Sequence, residues 1–375
     1  MTRIILIALL LPASFSAAAA SFTPLGDLTG GTYFSRVTDI SGNGTIVVGN
    51  SSTAAGTRAF IWTASTGMVE MAAANGITPT VANAISGDGT VIVGSSDTPL
   101  AWRWSSASGF EPLVPVAGET GTSARAVSYD GNVVGGESLN SFPRAVIWTA
   151  PTSPDPLGIP IESSVYGVSA DGLVAVGGAQ RANVAFRWSE ADGITDLGDL
   201  PGGYTSAAAQ ATSGNGSIVV GKSSSAAGWV AFRWTADTGM LGLGDLAGGN
   251  FGSSAYDITR SGDVIVGAGS DSRGQQAVLW TAAGVQAIFD LLVAQGAMLP
   301  DGWRLTNAMA ISDDGLVIAG AGINPDGFSE GWIARLDPYV VPLPASVWLF
   351  ISSLSALAGL RLRSIGRATA TASHR

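Results

Sequence analysis

Residues 210–234 read QATSGNGSIVVGKSSSAAGWVAFRW. The turn Ser213, Gly214, Asn215, Gly216 leads into a β-branched run, Ile218, Val219 and Val220, that stops at Gly221. A polar loop follows, and then a second apolar run, Ala231, Phe232, Arg233 and Trp234. Short β-rich runs bounded by Gly, Asn and Ser clusters read as strands. Asn-Gly suits a tight hairpin because glycine reaches positive φ without a Cβ clash. Widening the window to residues 205–246 gives one unit of four strands and three connections.

The unit repeats. Its turn recurs at residues 41–44, 86–89, 128–131, 169–172, 213–216, 259–262 (a degenerate copy) and 312–315. The tryptophans Trp62, Trp104, Trp148, Trp188, Trp234, Trp280 and Trp332 mark the copies, at steps of 42, 44, 40, 46, 46 and 52 residues. A period of this length that carries its own turn signals describes an array of small β units. Seven units of four antiparallel strands predict an all-β chain folded as a seven-bladed β-propeller.

The ends of the array favour a ring over an open β-solenoid. Complete units finish Leu-Gly-Asp-Leu-x-Gly-Gly, at residues 197–203 and 243–249, whereas the seventh stops after Leu336 without it. The missing phrase lies near the start of the chain, at Leu25, Gly26, Asp27 and Leu28, followed by Gly30 and Gly31. Residues 25–28 are therefore expected to supply the outer strand of the last blade, which closes the ring and removes two exposed edges. The Leu-Gly-Asp-Leu-x-Gly-Gly, Ser-x-Asp/Asn-Gly, Val-Val-Gly and Ala-Phe-Arg-Trp phrases together resemble the HAF repeat, an autotransporter-type extracellular repeat, over residues 22–336. The resemblance implies an exported bacterial protein and names no reaction. A kelch-like propeller ranks second, because its aromatics are spaced differently.

Both termini speak to cellular address. Met1, Thr2 and Arg3 precede an apolar run at residues 4–11 and then Ala18, Ala19 and Ala20, the layout of a signal peptide over residues 1–20. That run is too short for a spanning anchor. At the other end Val341, Pro342, Leu343, Pro344 and Ala345 open an apolar stretch, residues 345–360, followed by Arg361 and Arg363. A Pro-rich motif, a short C-terminal hydrophobic sorting helix and a basic cluster resemble the PEP-CTERM sorting signal in its VPLPA form. The resemblance implies an exosortase-type membrane protease as partner, an inner-membrane precursor of a Gram-negative cell, and a mature protein at the surface or outside. A plain C-terminal anchor is the alternative, and the extra tail at residues 365–375 departs from the family pattern. The expected organisation is thus a signal peptide (1–20), a propeller (21–338, with an insertion at 286–304) and a sorting segment (339–375).

Composition removes several chemistries. The chain has no cysteine and a single histidine, His374, so neither a Ser-His-Asp triad nor a His or Cys metal cluster has its parts in the repeats. No cofactor is implied. Residues 21–340 hold 28 carboxylates against 13 basic side chains, a net of −15, which argues against nucleic acid as partner. Asp313 and Asp314 make the one turn with two acids, fewer than a calcium loop needs.

Departures from the repeat are the better functional candidates. The repeated tryptophans read as core filling between blades. Arg103, Arg187 and Arg233, each between two aromatics, fall on the opposite face of their strand and are expected to pair with carboxylates such as the Asp of Leu-Gly-Asp-Leu. Residues 287–294 have apolar positions at helical spacing and predict a short helix on the rim, followed by Trp303. It reads either as cover for an apolar edge or as a lid carrying Trp303. Trp229 and Trp303, with the loop residues Arg144, Arg181, Arg273 and Gln275, are the candidate ligand contacts. Asp97, Glu137 and Asp326 are loop acids that a hydrolase or lyase would have to pair across a cleft. The expected function is a non-enzymatic binding or matrix role associated with exopolysaccharide or biofilm. A secreted carbohydrate-active enzyme and an envelope interaction scaffold are the alternatives.

Overall fold

The computed structural model describes residues 19–159, 162–179 and 183–337. The residues before 19 and after 337 lie outside it, and with them most of the expected signal peptide and the whole sorting segment from Val341 to Arg363. No helix among the described residues is long and apolar enough to cross a membrane.

Seven four-stranded antiparallel sheets follow one another along the chain. Their first strands are Gly30–Ile40, Pro79–Ile85, Gly121–Val127, Ser163–Val168, Ala207–Thr212, Ser254–Ile258 and Arg304–Ile311. Each of these strands contacts the first strand of the next sheet, and Arg304–Ile311 contacts Gly30–Ile40, so the sheets close into a ring around a central channel. The expected seven-bladed propeller is the fold.

The outer strand of blade seven comes from the N-terminal segment, as the repeat ends required, but it is Ser21–Pro24 rather than residues 25–28. Ser21 pairs with Arg335, Phe22 with Ala334, Thr23 with Ile333 and Pro24 with Trp332. Leu-Gly-Asp-Leu belongs to the connection that follows the outer strand. Its glycine is left-handed, with φ +73° at Gly26, +73° at Gly198 and +77° at Gly244, so the chain cannot stay extended through the phrase. Its leucines turn inward instead. Leu25 and Leu28 fill the core between blades seven and one, and Leu243 and Leu246 pack between five and six.

The apolar core is divided accordingly, with one cluster at each of the seven seams between neighbouring blades. The most buried position of the third strand is not the repeated Trp but the residue two before it. Phe60, Trp102, Val146, Phe186, Phe232, Val278 and Trp332 pair with Gly49, Gly94, Gly136, Gly177, Gly221, Gly267 and Gly320. Trp332 therefore takes the Phe register, and the true seventh counterpart of the repeated tryptophans is Ala334, opposite Ile318. That two-residue slip shortens the last step, which the insertion between blades six and seven lengthens.

Blade six has no Leu-Gly-Asp-Leu phrase, and the expected rim helix replaces it. The helix spans Ile288–Ala294, one residue shorter than its apolar pattern. Ile288 and Leu292, four residues apart and so on one face, are fully buried at the seam of blades six and seven. Trp303 is only 6% exposed and packs edge-on to Phe22 at 5.1 Å. The insertion covers an apolar edge and carries no lid. Trp303 is core, which corrects the expectation of a ligand contact.

Candidate functional site

Every first strand contains a β-bulge at the same place, shortly before its turn. The bulge brings a carbonyl of the first strand against the second-strand glycine. A Cβ on Gly221 would stand 2.0 Å from the Ala208 oxygen, and one on Gly136 would stand 1.9 Å from that of Ser123. The extra residue of each bulge is left unpaired and turned to the axis. These residues are Thr38, Asn83, Arg125, Tyr166, Gln210, Tyr256 and Met309, and all seven line a cavity of about 180 Å³ in the channel. One repeated position thus carries seven different side chains around the axis.

Some of these groups are anchored and some are free. Thr38 donates to the Ala82 carbonyl at 2.5 Å, and the Asn83 amide donates to that of Ala124 at 2.7 Å, each tying its blade to the next. Arg125 lies over the Tyr166 ring, 5.5 Å from its centroid, and donates to Glu137 at 2.8 Å. Glu137 is buried and also accepts from the Ser164 hydroxyl. It sits within a strand, Val134–Leu139, rather than in a loop as expected. Among the described residues the Gln210 amide makes no hydrogen bond, so it is available to a ligand.

The next residue toward the turn is Asp39 in blade one and Asp257 in blade six, and both line the cavity. Asp39 accepts from the backbone N–H of Ile40 and of Ile85 in blade two, both at 2.8 Å. Asp257 accepts from Ile258 at 2.7 Å and from Ile311 in blade seven at 2.9 Å. Burial pushes the Asp39 carboxyl up to about 8, with the nearby Asp257 adding to it. Burial likewise raises Asp257 to about 6, and Asp313 adds a smaller upward push.

Beyond this layer the turns form a floor. The residue after each turn Ser or Thr is Gly42, Gly87, Tyr129, Ala170, Gly214, Arg260 or Asp313. Backbone bonds pass from turn to turn: Gly42 N–H to the Gly87 oxygen, Tyr129 to Ala170, Ala170 to Gly214, Gly214 to Arg260, and Asp313 to Gly42. Arg260 lies over the Tyr129 ring, 4.4 Å from its centroid. Blades three and six stand on opposite sides of a ring of seven, so this contact spans the axis and stoppers the channel. Gly87 and Gly214 make room for it, since a Cβ there would stand 2.1 Å from the Tyr129 ring and 2.4 Å from the Arg260 side chain. The channel is closed at its turn end, and the cavity lies between the bulge residues and this floor.

The candidates read from the sequence are placed apart. Trp229 is 44% exposed on blade five, with the Lys222 ammonium 5.0 Å from its ring centroid. Arg144, on blade three, pairs with Glu119 at 3.3 Å. Arg273, on blade six, is clasped by Asp271 at 2.6 Å and by Asp290 of the helix at 2.8 Å, and these carboxylates hold its proton more firmly than usual. Gln275 reaches Asn307 at 2.7 Å. Arg181 lies outside the described residues. The acids expected in loops, Asp97, Glu137 and Asp326, belong to blades two, three and seven and form no pair. Arg103 and Arg187 do not meet the Asp of Leu-Gly-Asp-Leu. Arg103 meets Glu111 at 3.3 Å, and Arg187 meets Asp192 at 3.4 Å. Asp245 is held instead by the backbone N–H groups of Leu246, Gly252 and Ser270, each at 2.8 Å.

The fold and its stoppered channel define a seven-bladed β-propeller with a blind axial pocket. No family model matches the chain, and no curated protein matches it. Among solved structures it is similar to a putative TolB from Agrobacterium tumefaciens, at 17% identity over 68% of this chain and 88% of that one, with a TM-score of 0.41. It is also similar to TolB from Acinetobacter baumannii, at 14% identity over 65% of this chain, with a TM-score of 0.45, and it spans 63% of that chain. A chain of the mitotic checkpoint complex matches at 15% identity over 89% of this chain and 99% of that one, with a TM-score of 0.49.

Proposed function

We propose that the chain is an exported, non-enzymatic binding protein, sorted through its VPLPA segment by an exosortase, whose channel mouth receives part of an exopolysaccharide or of another envelope component at the cell surface. The observation that carries this reading is the ring of bulge residues. A scaffold that repeats its turns, glycines and core would need no diversity at that position. Two phenol rings, two amides, a hydroxyl and a guanidinium offer hydrogen-bond partners and flat apolar faces to a hydroxyl-rich ligand. The two channel acids favour binding over hydrolysis, because the oxygens of both Asp39 and Asp257 already accept backbone N–H groups and hold blades together.

A glycan array probed with the purified protein tests the ligand. Binding should fall at least tenfold in Tyr166→Ala and Gln210→Ala, and the absence of any bound glycan at any concentration removes the polysaccharide reading. Mass spectrometry of the mature protein tests the sorting. A tail still ending at Arg375 in cells that contain an exosortase defeats that half of the proposal.

A further inference from the structure

The seam between blades seven and one holds a second cavity, about 520 Å³ in volume, away from the channel. Trp62, Thr45, Thr63, Thr23, Ile333 and Arg335 line it. The Arg335 Nε is buried without a hydrogen-bond partner, and among the described residues its guanidinium makes no ion pair. A buried donor without an acceptor is costly, and the Nη groups, which are not buried, keep the charge within reach of a ligand in the groove.

At two other seams the arginine of the same groove is satisfied from within. Between blades two and three, Arg103 meets Glu111 at 3.3 Å and the Gly131 carbonyl of the next turn at 3.3 Å. Between four and five, Arg187 donates to the Gly216 carbonyl at 3.0 Å and meets Asp192. Strand register shows what changed at the seven–one seam. Ile333 stands at the position of Arg103, Thr23 at that of Glu111, and Arg335 at that of Ser105. The acid is gone, and the arginine stands two residues further along the strand, where it has neither a carboxylate nor a carbonyl.

We propose that this groove binds a carboxylated sugar residue. The guanidinium fork of Arg335 matches a carboxylate in two parallel hydrogen bonds, which gives direction as well as charge complementarity. The Thr45 hydroxyl donates to Asn43 and can still accept from a ring hydroxyl, and Trp62 and Ile333 form an apolar wall for the C–H face. A bare carboxylate would leave that wall and the Thr45 hydroxyl unused, and a neutral sugar would leave Arg335 unsatisfied. The site stands on different residues from the channel and holds whether or not the channel binds a glycan.

Isothermal titration of the purified protein with D-galacturonate, D-galactose, acetate and phosphate tests it. Galacturonate should bind at least tenfold tighter than each of the other three. Thr23→Glu, on an exposed edge strand, gives Arg335 an internal carboxylate and should weaken galacturonate at least tenfold while thermal unfolding stays that of the parent. Arg103→Gln, at the closed groove, should leave binding unchanged. Galactose, acetate or phosphate binding as tightly as galacturonate overturns the proposal, as does a Thr23→Glu variant that binds like the parent. Galacturonate binding lost in Tyr166→Ala but kept in Thr23→Glu would assign it to the channel and overturn this site as well.

Discussion

Gly221 admits no side chain, because its Cβ would fall 2.0 Å from a backbone oxygen that the bulge pins in place. Gly221→Ala should cost about 3 kcal/mol in urea unfolding. Gly67→Ala, at φ +67° with no atom within 4 Å, should cost about 1 kcal/mol from backbone strain alone. Equal costs at the two positions would mean that the bulge does not set the inner wall. Asp39 and Asp257 make a prediction about pH. Both carboxyls are raised on folding, to about 8 and about 6, so the folded chain holds their protons more tightly than the unfolded one. Their contribution is fully present below the ordinary aspartate range and is lost as pH rises through about 6 and then about 8. Asp88 and Asp130 are lowered by hydrogen bonds, and their contribution is lost as pH falls below that range. The thermal midpoint should therefore be highest between the two windows and decline from pH 5 to pH 8. A midpoint that climbs over that interval contradicts this account of the channel acids.

The turns and strands were legible in the sequence because each copy repeats the same physical solution, a Ser or Thr hydroxyl and a left-handed Gly closing a hairpin. The channel was not, because its residues differ from blade to blade and a search for sameness passes over them. A signal was present. Thr38, Asn83, Arg125, Tyr166, Gln210, Tyr256 and Met309 each stand three residues before the turn Ser or Thr, after an Ala or Val and before an Ala, Gly or Asp. Aligning the copies on their turns would have isolated them. Trp303 misled for the opposite reason. It breaks the repeat, but the seam of blades six and seven lacks the Leu-Gly-Asp-Leu leucines, and an aromatic and a helix fill that space. Leu292→Ala should accordingly cost about 2–5 kcal/mol in chemical denaturation, whereas Val293→Asp, at a half-exposed site on the same helix, should change stability by less than about 0.5 kcal/mol. Similar costs at both positions would show that the helix does not bury its Ile288–Leu292 face.

Around the ring, each seam is a small core, and all but the seven–one seam join blades that are consecutive in the chain. That seam depends on Ser21–Pro24 reaching across the length of the sequence to Ser329–Arg335. A chain beginning at Leu25 should melt at lower temperature and associate with rising concentration, because it leaves the edge of Ser329–Arg335 unpaired. Light scattering and a thermal scan decide it, and a monomer with the parent midpoint would show that the ring closes without the N-terminal strand. The register of that closure also determines how the ring answers to force. Ser21 lies opposite Arg335, so the first residue of the closing strand and the end of its partner emerge side by side. A tether pulling on both ends would load the pair's hydrogen bonds one after another, as a zipper opens. A pull between Ser21 and the far end of the partner strand would load them together in shear. If the chain is ever held by both its ends, blade seven is the part of the ring that yields first.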